Sequence, residues 1–285
     1  MSFTHVMNIG VEGMDEGQFK YVEDFALTGS GHLLVTDAGH AYVQVFDKTT
    51  GKFITRFGGR VGGEEGFEKP EGIAVAADGS VFVADSIAGV VKKYSKDYKL
   101  VSTLVKYSAD SGHVKAPEMM DIANGMLFIP ESGSHRVEVF NLDGKYEYAF
   151  GGMGAEPGKM NSPEAARANN GSVYVTDLKN NRIQVFDLKG TFLKTWGHLG
   201  QGQGELDSPV GLAIDGAGRV YVTESGNSRV QVFDKDGNFI TMWGKRGNGI
   251  GEFGNLHGVL VDKKTGWVYV ADTMNNRIQV FKPAK

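Results

Sequence analysis

The sequence predicts an all-β fold: a six-bladed β-propeller of four-stranded antiparallel blades, one domain over residues 1–285. Three observations predict it. Six fourteen-residue segments align without gaps, and their starts at Leu33, Val81, Leu127, Val173, Val220 and Val268 lie 48, 46, 46, 47 and 48 residues apart. Each reads as two short strands rich in β-branched and aromatic residues around a polar turn, as in VYVTDLKNNRIQVF from Val173. Forty-one glycines against seven prolines, with no collagen period, supply the tight turns that many short strands need.

The remaining strands follow in order. Upstream of each repeat lies a further strand, as in PEGIAVAADGS from Pro70 and PVGLAIDGAGR from Pro209. Downstream lies a fourth, as in GNFITMWG from Gly237, entered through an Asp-Gly or similar turn. Four strands in roughly 47 residues is propeller arithmetic. The fourth strands of blades one, three, four and five end in Phe57-Gly58, Phe150-Gly151, Trp196-Gly197 and Trp243-Gly244, while blade two departs with Leu104-Val105. The sixth repeat stops after its third strand at Phe281, and Ile9-Gly10 stands where its missing partner should be. Residues 3–10 are therefore expected to be the outer strand of blade six, closing the ring and leaving no open sheet edge.

Composition narrows the function. Thirty Lys and Arg against 34 Asp and Glu give a net charge of −4, which speaks against a nucleic-acid partner. No stretch approaches the apolar length of a membrane span. The opening residues MSFTHVMNIG lack the charged and apolar regions of a signal peptide. The absence of cysteine removes disulfides, thiolate metal sites and cysteine nucleophiles. It does not fix a compartment, and cytoplasmic location or export both stay open. The closed ring is expected to work as a monomer.

The segments resemble the NHL repeat family over essentially the whole chain. The shared pattern is an apolar residue, Pro-x-Gly, an aliphatic strand, Ala/Thr-Asp, then Asn-Asn-Arg-Ile-Gln-Val-Phe. The Asn-His-Leu segment that names the family is not preserved here. The resemblance implies the fold and is nearly silent on activity, because the family includes enzymes, solute binders and docking platforms.

Strand order assigns the faces. Small residues of the first strands (Gly72, Ala74, Gly211, Ala213, Gly258) suit the crowded centre, and the large residues of the fourth strands suit the wide rim. The residue after each proline, or its counterpart, should then stand at the channel mouth: Glu23, Glu71, Glu118, Glu164, Val210 and His257. Converging carboxylates are costly unless a cation, a proton or separation relieves them. Glu23, Glu71, Glu118, Glu164 and His257 are accordingly candidate metal ligands, an oxygen-rich set suited to Ca²⁺, Mn²⁺ or Fe²⁺ rather than tetrahedral zinc. The competing reading has the same glutamates solvated, or paired with Arg167 and lysines. The ring is similar to the place where peptidyl-hydroxyglycine amidating lyases hold zinc through histidines that follow proline; His257 alone matches that pattern.

A second ring ends the second strands: Asp37, Asp85, Glu131, Asp177, Glu224 and Asp272. Five residues on stand Tyr42, Val90, Arg136, Arg182, Arg229 and Arg277. This repetition predicts charge-assisted pins for the loops. Blades one and two lack the arginine, which marks their surface for something specific. Asp121 and Arg167 replace Ala or Leu in adjacent blades, predicting a buried pair or, for Arg167, a contact to developing negative charge in the channel. His40, His113, His135, His198 and His257 all map to the mouth face.

Two function classes follow. In the first, a metal-dependent lyase or hydrolase acts on a small molecule, with Arg167, Tyr42 and His257 as candidate catalytic residues beside the glutamate-held ion. In the second, the mouth face is a non-catalytic platform for a protein or peptide. No nucleophile elbow, phosphate loop, zinc signature or dinucleotide fingerprint is present.

Overall fold

The computed structural model describes residues 1–106 and 112–284. Its strands form six sheets of four antiparallel strands each. Blade one is β2 (Val22–Leu27), β3 (His32–Asp37), β4 (Tyr42–Asp47) and β5 (Phe53–Gly58). Blade two is β6 (Pro70–Val75), β7 (Val81–Asp85), β8 (Val90–Tyr94) and β9 (Leu100–Val105). Blade three runs β10 (Asp121–Ala123), β11 (Met126–Glu131), β12 (Arg136–Asn141) and β13 (Tyr146–Gly151). Blade four runs β14 (Pro163–Asn169), β15 (Ser172–Asp177), β16 (Arg182–Asp187) and β17 (Phe192–Trp196). Blade five is β18 (Pro209–Ile214), β19 (Val220–Glu224), β20 (Arg229–Phe233) and β21 (Phe239–Trp243). Blade six combines β22 (Leu256–Val261), β23 (Val268–Asp272) and β24 (Arg277–Pro283) with β1 (Phe3–Ile9).

The ring closes as the chain pattern predicts. β1 pairs antiparallel with β24, from Phe3 opposite Pro283 to Ile9 opposite Ile278. Ile9 is fully buried, and the Phe3 ring packs on Trp243 with centroids 4.2 Å apart. Blade three departs from regularity. Its inner strand β10 has only three residues, and Glu118 stands before it, in a segment bridged to β11 through Pro117 and to β14 through Met119.

The inner strands β2, β6, β10, β14, β18 and β22 neighbour one another around the axis. Glycine lets them approach. A Cβ on Gly72 would lie 2.1 Å from the Glu118 carbonyl oxygen, and one on Gly258 would lie 2.4 Å from that of Glu23. Threonines latch blades one, four and six to the blade that follows: the Thr36 hydroxyl donates to the Glu71 carbonyl at 2.6 Å, Thr176 to Val210 at 2.8 Å, and Thr273 to Val22 at 2.7 Å. These contacts fix the backbone at Val22, Glu71 and Val210, at or beside the mouth positions. Aromatic and aliphatic side chains fill the space between blades, with Phe19, Phe46, Phe82, Phe128 and Phe186 buried there. Among the described residues no helix is long and apolar enough to cross a membrane.

Candidate functional site

The mouth positions converge. Glu23, Glu71 and Glu118 are buried at 1%, 7% and 8% exposure, although carboxylates are rarely buried without partners. The His257 imidazole meets Glu23, with Nδ1 2.5 Å from Oε2. Its other nitrogen, Nε2, lies 3.4 Å from the Tyr21 hydroxyl. The Lys69 ammonium pairs with Glu71 and reaches to 3.6 Å from Glu23. The Ser132 hydroxyl donates to Glu118 at 2.6 Å, and Glu118 in turn hydrogen-bonds Glu71.

Cations and protons relieve the crowding together. Burial, and then the charges of Glu164 and Glu71, raise Glu118 well above the usual carboxylate range. Burial and the charge of Glu71 push Glu164 up to about 8. Burial opposes ionisation of Glu71, but the hydrogen bond from Glu118 and the Lys69 ammonium outweigh it and lower its pKa. Burial likewise opposes charge on His257, and the adjacent Glu23 carboxylate outweighs that and raises it. Glu23 itself is raised by burial, with His257 pulling the other way. Two kinds of relief are thus combined: Lys69 and His257 place positive charge beside Glu71 and Glu23, while Glu118 and Glu164 are shifted toward their protonated forms.

Among the described residues no three His, Asp or Glu side chains are grouped to hold a metal ion. The set proposed from sequence therefore does not fit an ion as arranged. Lys69 stands between Glu23 and Glu71, where such an ion would have to sit.

Lys69 and Tyr21 escaped the sequence reading. Each stands two positions before the mouth ring, where the other blades carry Ala116, Ser162, Ser208 and Asn255. Reading the ring two residues earlier would have exposed both as outliers.

Arg167 and Tyr42 are not brought to this cluster. Arg167 Nη2 bonds Asp24 Oδ1 at 2.7 Å, and Nη1 donates to the carbonyls of Met120 and Ala166. The expected Arg167–Asp121 ion pair is replaced by this one, because Asp121 is taken by the backbone N–H groups of Ile122 and Ala168. Blade four faces blade one across the ring, so Arg167 bars the channel. Beyond it, a cavity of about 290 Å³ is lined by Arg167, Asp121, Lys263 and apolar inner-strand residues, and by none of the mouth residues. Asp24 was legible too, as the one charged residue at a position that holds Gly72, Met119, Ala165, Gly211 and Gly258 elsewhere. Tyr42 stands two strands out from the axis, with the Arg56 guanidinium 4.4 Å above its ring.

The second ring pins loops in blades four to six. Arg182 meets Asp177 at 2.8 Å, Arg229 meets Glu224 at 2.6 Å and Arg277 meets Asp272 at 2.7 Å. Each arginine also donates to carbonyls of the preceding loop, as Arg182 does to Ala155 and Lys159. In blade three Arg136 pairs with Glu138 instead of Glu131. Of the other mouth-face histidines, His40 bonds Asp37, His135 accepts from the Ser162 N–H, and His198 lies 3.6 Å from Glu205. The imidazole of His113 has its Nδ1 buried without a partner.

Beside the cluster a cleft of about 730 Å³ opens across blades six, one and two, lined by Lys20, Tyr21, Arg60, Glu68, Lys69, Ile87, Met274 and Asn276 among others. Tyr21 and Lys69 belong to both cleft and cluster.

Residues 160–186 match the NHL repeat, and residues 213–282 match a family described as a 6-bladed beta-propeller. No curated protein sequence matches the chain. Solved structures share the ring. A protein of unknown function from Bacteroides thetaiotaomicron superposes with a TM-score of 0.72 at 15% identity, covering 98% of this chain and 75% of that one. A streptogramin B lyase gives 0.68 at 13% identity, with 98% and 97% coverage. A gluconolactonase from Xanthomonas campestris gives 0.69 at 14%, with 94% and 87% coverage. By its repeats and by its six closed blades, this chain is an NHL-type six-bladed β-propeller.

Proposed function

We propose that the chain is an enzyme acting on a small molecule at the channel mouth, in a lyase or hydrolase reaction driven by acid–base side chains. One observation carries this reading: a buried acid still protonated near neutral pH, Glu164, shares a cluster with His257, whose imidazole is fixed by a carboxylate. Elimination and ester hydrolysis both require one group to take a proton and another to give one. Glu164 and His257 are both raised: burial keeps Glu164 protonated as the group that gives a proton, and the Glu23 carboxylate makes His257 a stronger base to take one. Glu23 holds Nδ1, which leaves Nε2 turned toward Tyr21 and the cleft as the working nitrogen. Burial and the neighbouring Glu23 raise the Tyr21 phenol, which keeps it a donor.

The similar rings of a streptogramin B lyase and a gluconolactonase support the reading at the level of fold. Among the described residues no His, Asp and Glu side chains are grouped as ligands for a metal ion, and no step here runs through one.

The test is turnover of quinupristin and of sugar lactones by the purified protein, followed by mass spectrometry. Hydrolysis adds the mass of one water and elimination does not. Glu164→Gln and His257→Ala should each reduce kcat/KM by about 10²–10⁴-fold. Unchanged turnover in both variants, or none by the parent protein, overturns the proposal.

A second reading, a protein or peptide platform, draws on exposed apolar side chains in loops of the mouth face, among them Met14, Val61, Met153, Leu199 and Ile250. It expects a bound partner that survives His257→Ala and is lost with Leu199→Asp and Ile250→Asp.

A further inference from the structure

The cleft over blades six, one and two has a chemistry distinct from the acid–base cluster beneath it. Its position follows from the arginine pattern. In blades four to six an arginine leaves the third strand and binds the carbonyls of the preceding loop, filling the space between loops. Blades one and two have Tyr42 and Val90 at that place; valine has no donor and tyrosine only one, where arginine spans several carbonyls. The turn of blade one is also small, Ala38 followed by Gly39, and a Cβ on Gly39 would lie 1.7 Å from the Lys20 carbonyl oxygen. Space left unfilled there becomes the cleft.

Its lining pairs positive charge with apolar surface. Lys20 and Arg60 line it and make no ion pair among the described residues, and Arg60 Nη2 only grazes the Gly39 carbonyl at 3.4 Å. Against these two cations stands one lining carboxylate, Glu68. Glu64 and Glu65 of the neighbouring loop are outside the lining. The floor adds no net charge, because Lys69 is matched by Glu71. The local sign is therefore opposite to the net −4 of the chain. Two large apolar side chains flank the opening, Ile87 at 62% exposure and Met274 at 61%. Each comes from a turn between second and third strands, on either side of the cations.

We infer that this cleft binds an amphiphilic anion: a small molecule whose carboxylate or equivalent group meets Lys20 and Arg60 while an apolar arm lies on Ile87 and Met274. The inference rests on the mouth being the working site, and it names the class of substrate that would reach Glu164 and His257. Cationic and purely apolar molecules are disfavoured, the first by Lys20 and Arg60 and the second by the polar lining.

The experiment is a titration with the anionic apolar dye anilinonaphthalene sulfonate, competed by octanoate, octylamine or octanol. Octanoate should displace the dye at least tenfold more effectively than octylamine or octanol. The double variant K20E/R60E and the single variant Met274→Asp should each weaken dye binding tenfold or more with an unchanged melting temperature, since all three side chains are exposed. Lys263→Glu, at the far cavity, should leave it unchanged. Equal displacement by octylamine, or equal weakening by Lys263→Glu, overturns the inference. Dye binding retained in a His257→Ala protein that turns nothing over separates this site from the catalytic reading, which can fail on its own.

Discussion

His257 Nδ1 lies 2.5 Å from Glu23 Oε2, and this contact joins the inner strand of the last blade to that of the first. Both side chains are largely withdrawn from water, so neither can lose its partner and be solvated in exchange. Glu23→Gln and His257→Ala should each cost on the order of 3 kcal/mol, because an unpaired buried charge or donor is left behind. Replacing both by leucine should cost less than the sum of the two. Denaturant midpoints measure this, and single-variant losses below about 1 kcal/mol would show the pair to be incidental.

Glu164 ties stability to alkaline pH. Its folded pKa is pushed up to about 8 from an ordinary value of 4.5, so the folded state favours the protonated carboxyl. The sign follows: this stability is complete below the ordinary value and is lost as pH rises through about 8. Glu164→Gln should flatten that loss, gaining on the order of 3 kcal/mol relative to the parent protein at pH 9 compared with pH 5. Melting temperatures across that range decide it, and parallel curves for the two proteins refute it.

Two cations near the axis answer to different partners. Lys69→Met strips Glu71 of its counter-charge at the mouth, and Arg167→Met strips Asp24 in the channel. Arg167→Met should destabilise by about 3–5 kcal/mol, and Lys69→Met by less, because the Lys69 side chain is 35% exposed. Only Lys69→Met should abolish turnover outright, because Lys69 alone of the two borders both cleft and cluster. Arg167→Lys should not restore stability fully, since a single ammonium cannot reach Asp24 and the carbonyls of Met120 and Ala166 together.

The seam strand should be indispensable. Deleting residues 1–10 removes β1 from β24 and uncovers Phe281, Trp243 and an unpaired strand edge. Loss of cooperative unfolding and self-association by light scattering are expected. A monomeric, cooperatively folding truncation would contradict the closure.

Much of the site was legible in the chain because a propeller converts sequence period into position. Once six repeats were aligned, the residue after proline had to recur around one mouth, and Glu23, Glu71, Glu118, Glu164 and His257 do meet there. Reading one register alone hid Tyr21, two residues before Glu23, and Asp24, the residue after it. It also hid Lys69, although that residue departs from the repeat as plainly as Glu71 follows it. Arg167 was noticed as an outlier, but its partner was sought in the adjacent blade. A long guanidinium side chain near the axis can instead reach the blade opposite, and only the width of the channel decides between the two.

The amino-acid order by itself determined the number of blades, the strand that closes them and the face on which the acids gather, because each of these depends on spacing along the chain. The tertiary structure alone decided how those acids are neutralised. That depends on which cations and protons fall within a few ångströms across blades, and burial amplifies every such encounter. Lysine, imidazole and shared protons, brought in from separate repeats, do here what the spacing of the glutamates had suggested a metal ion would do.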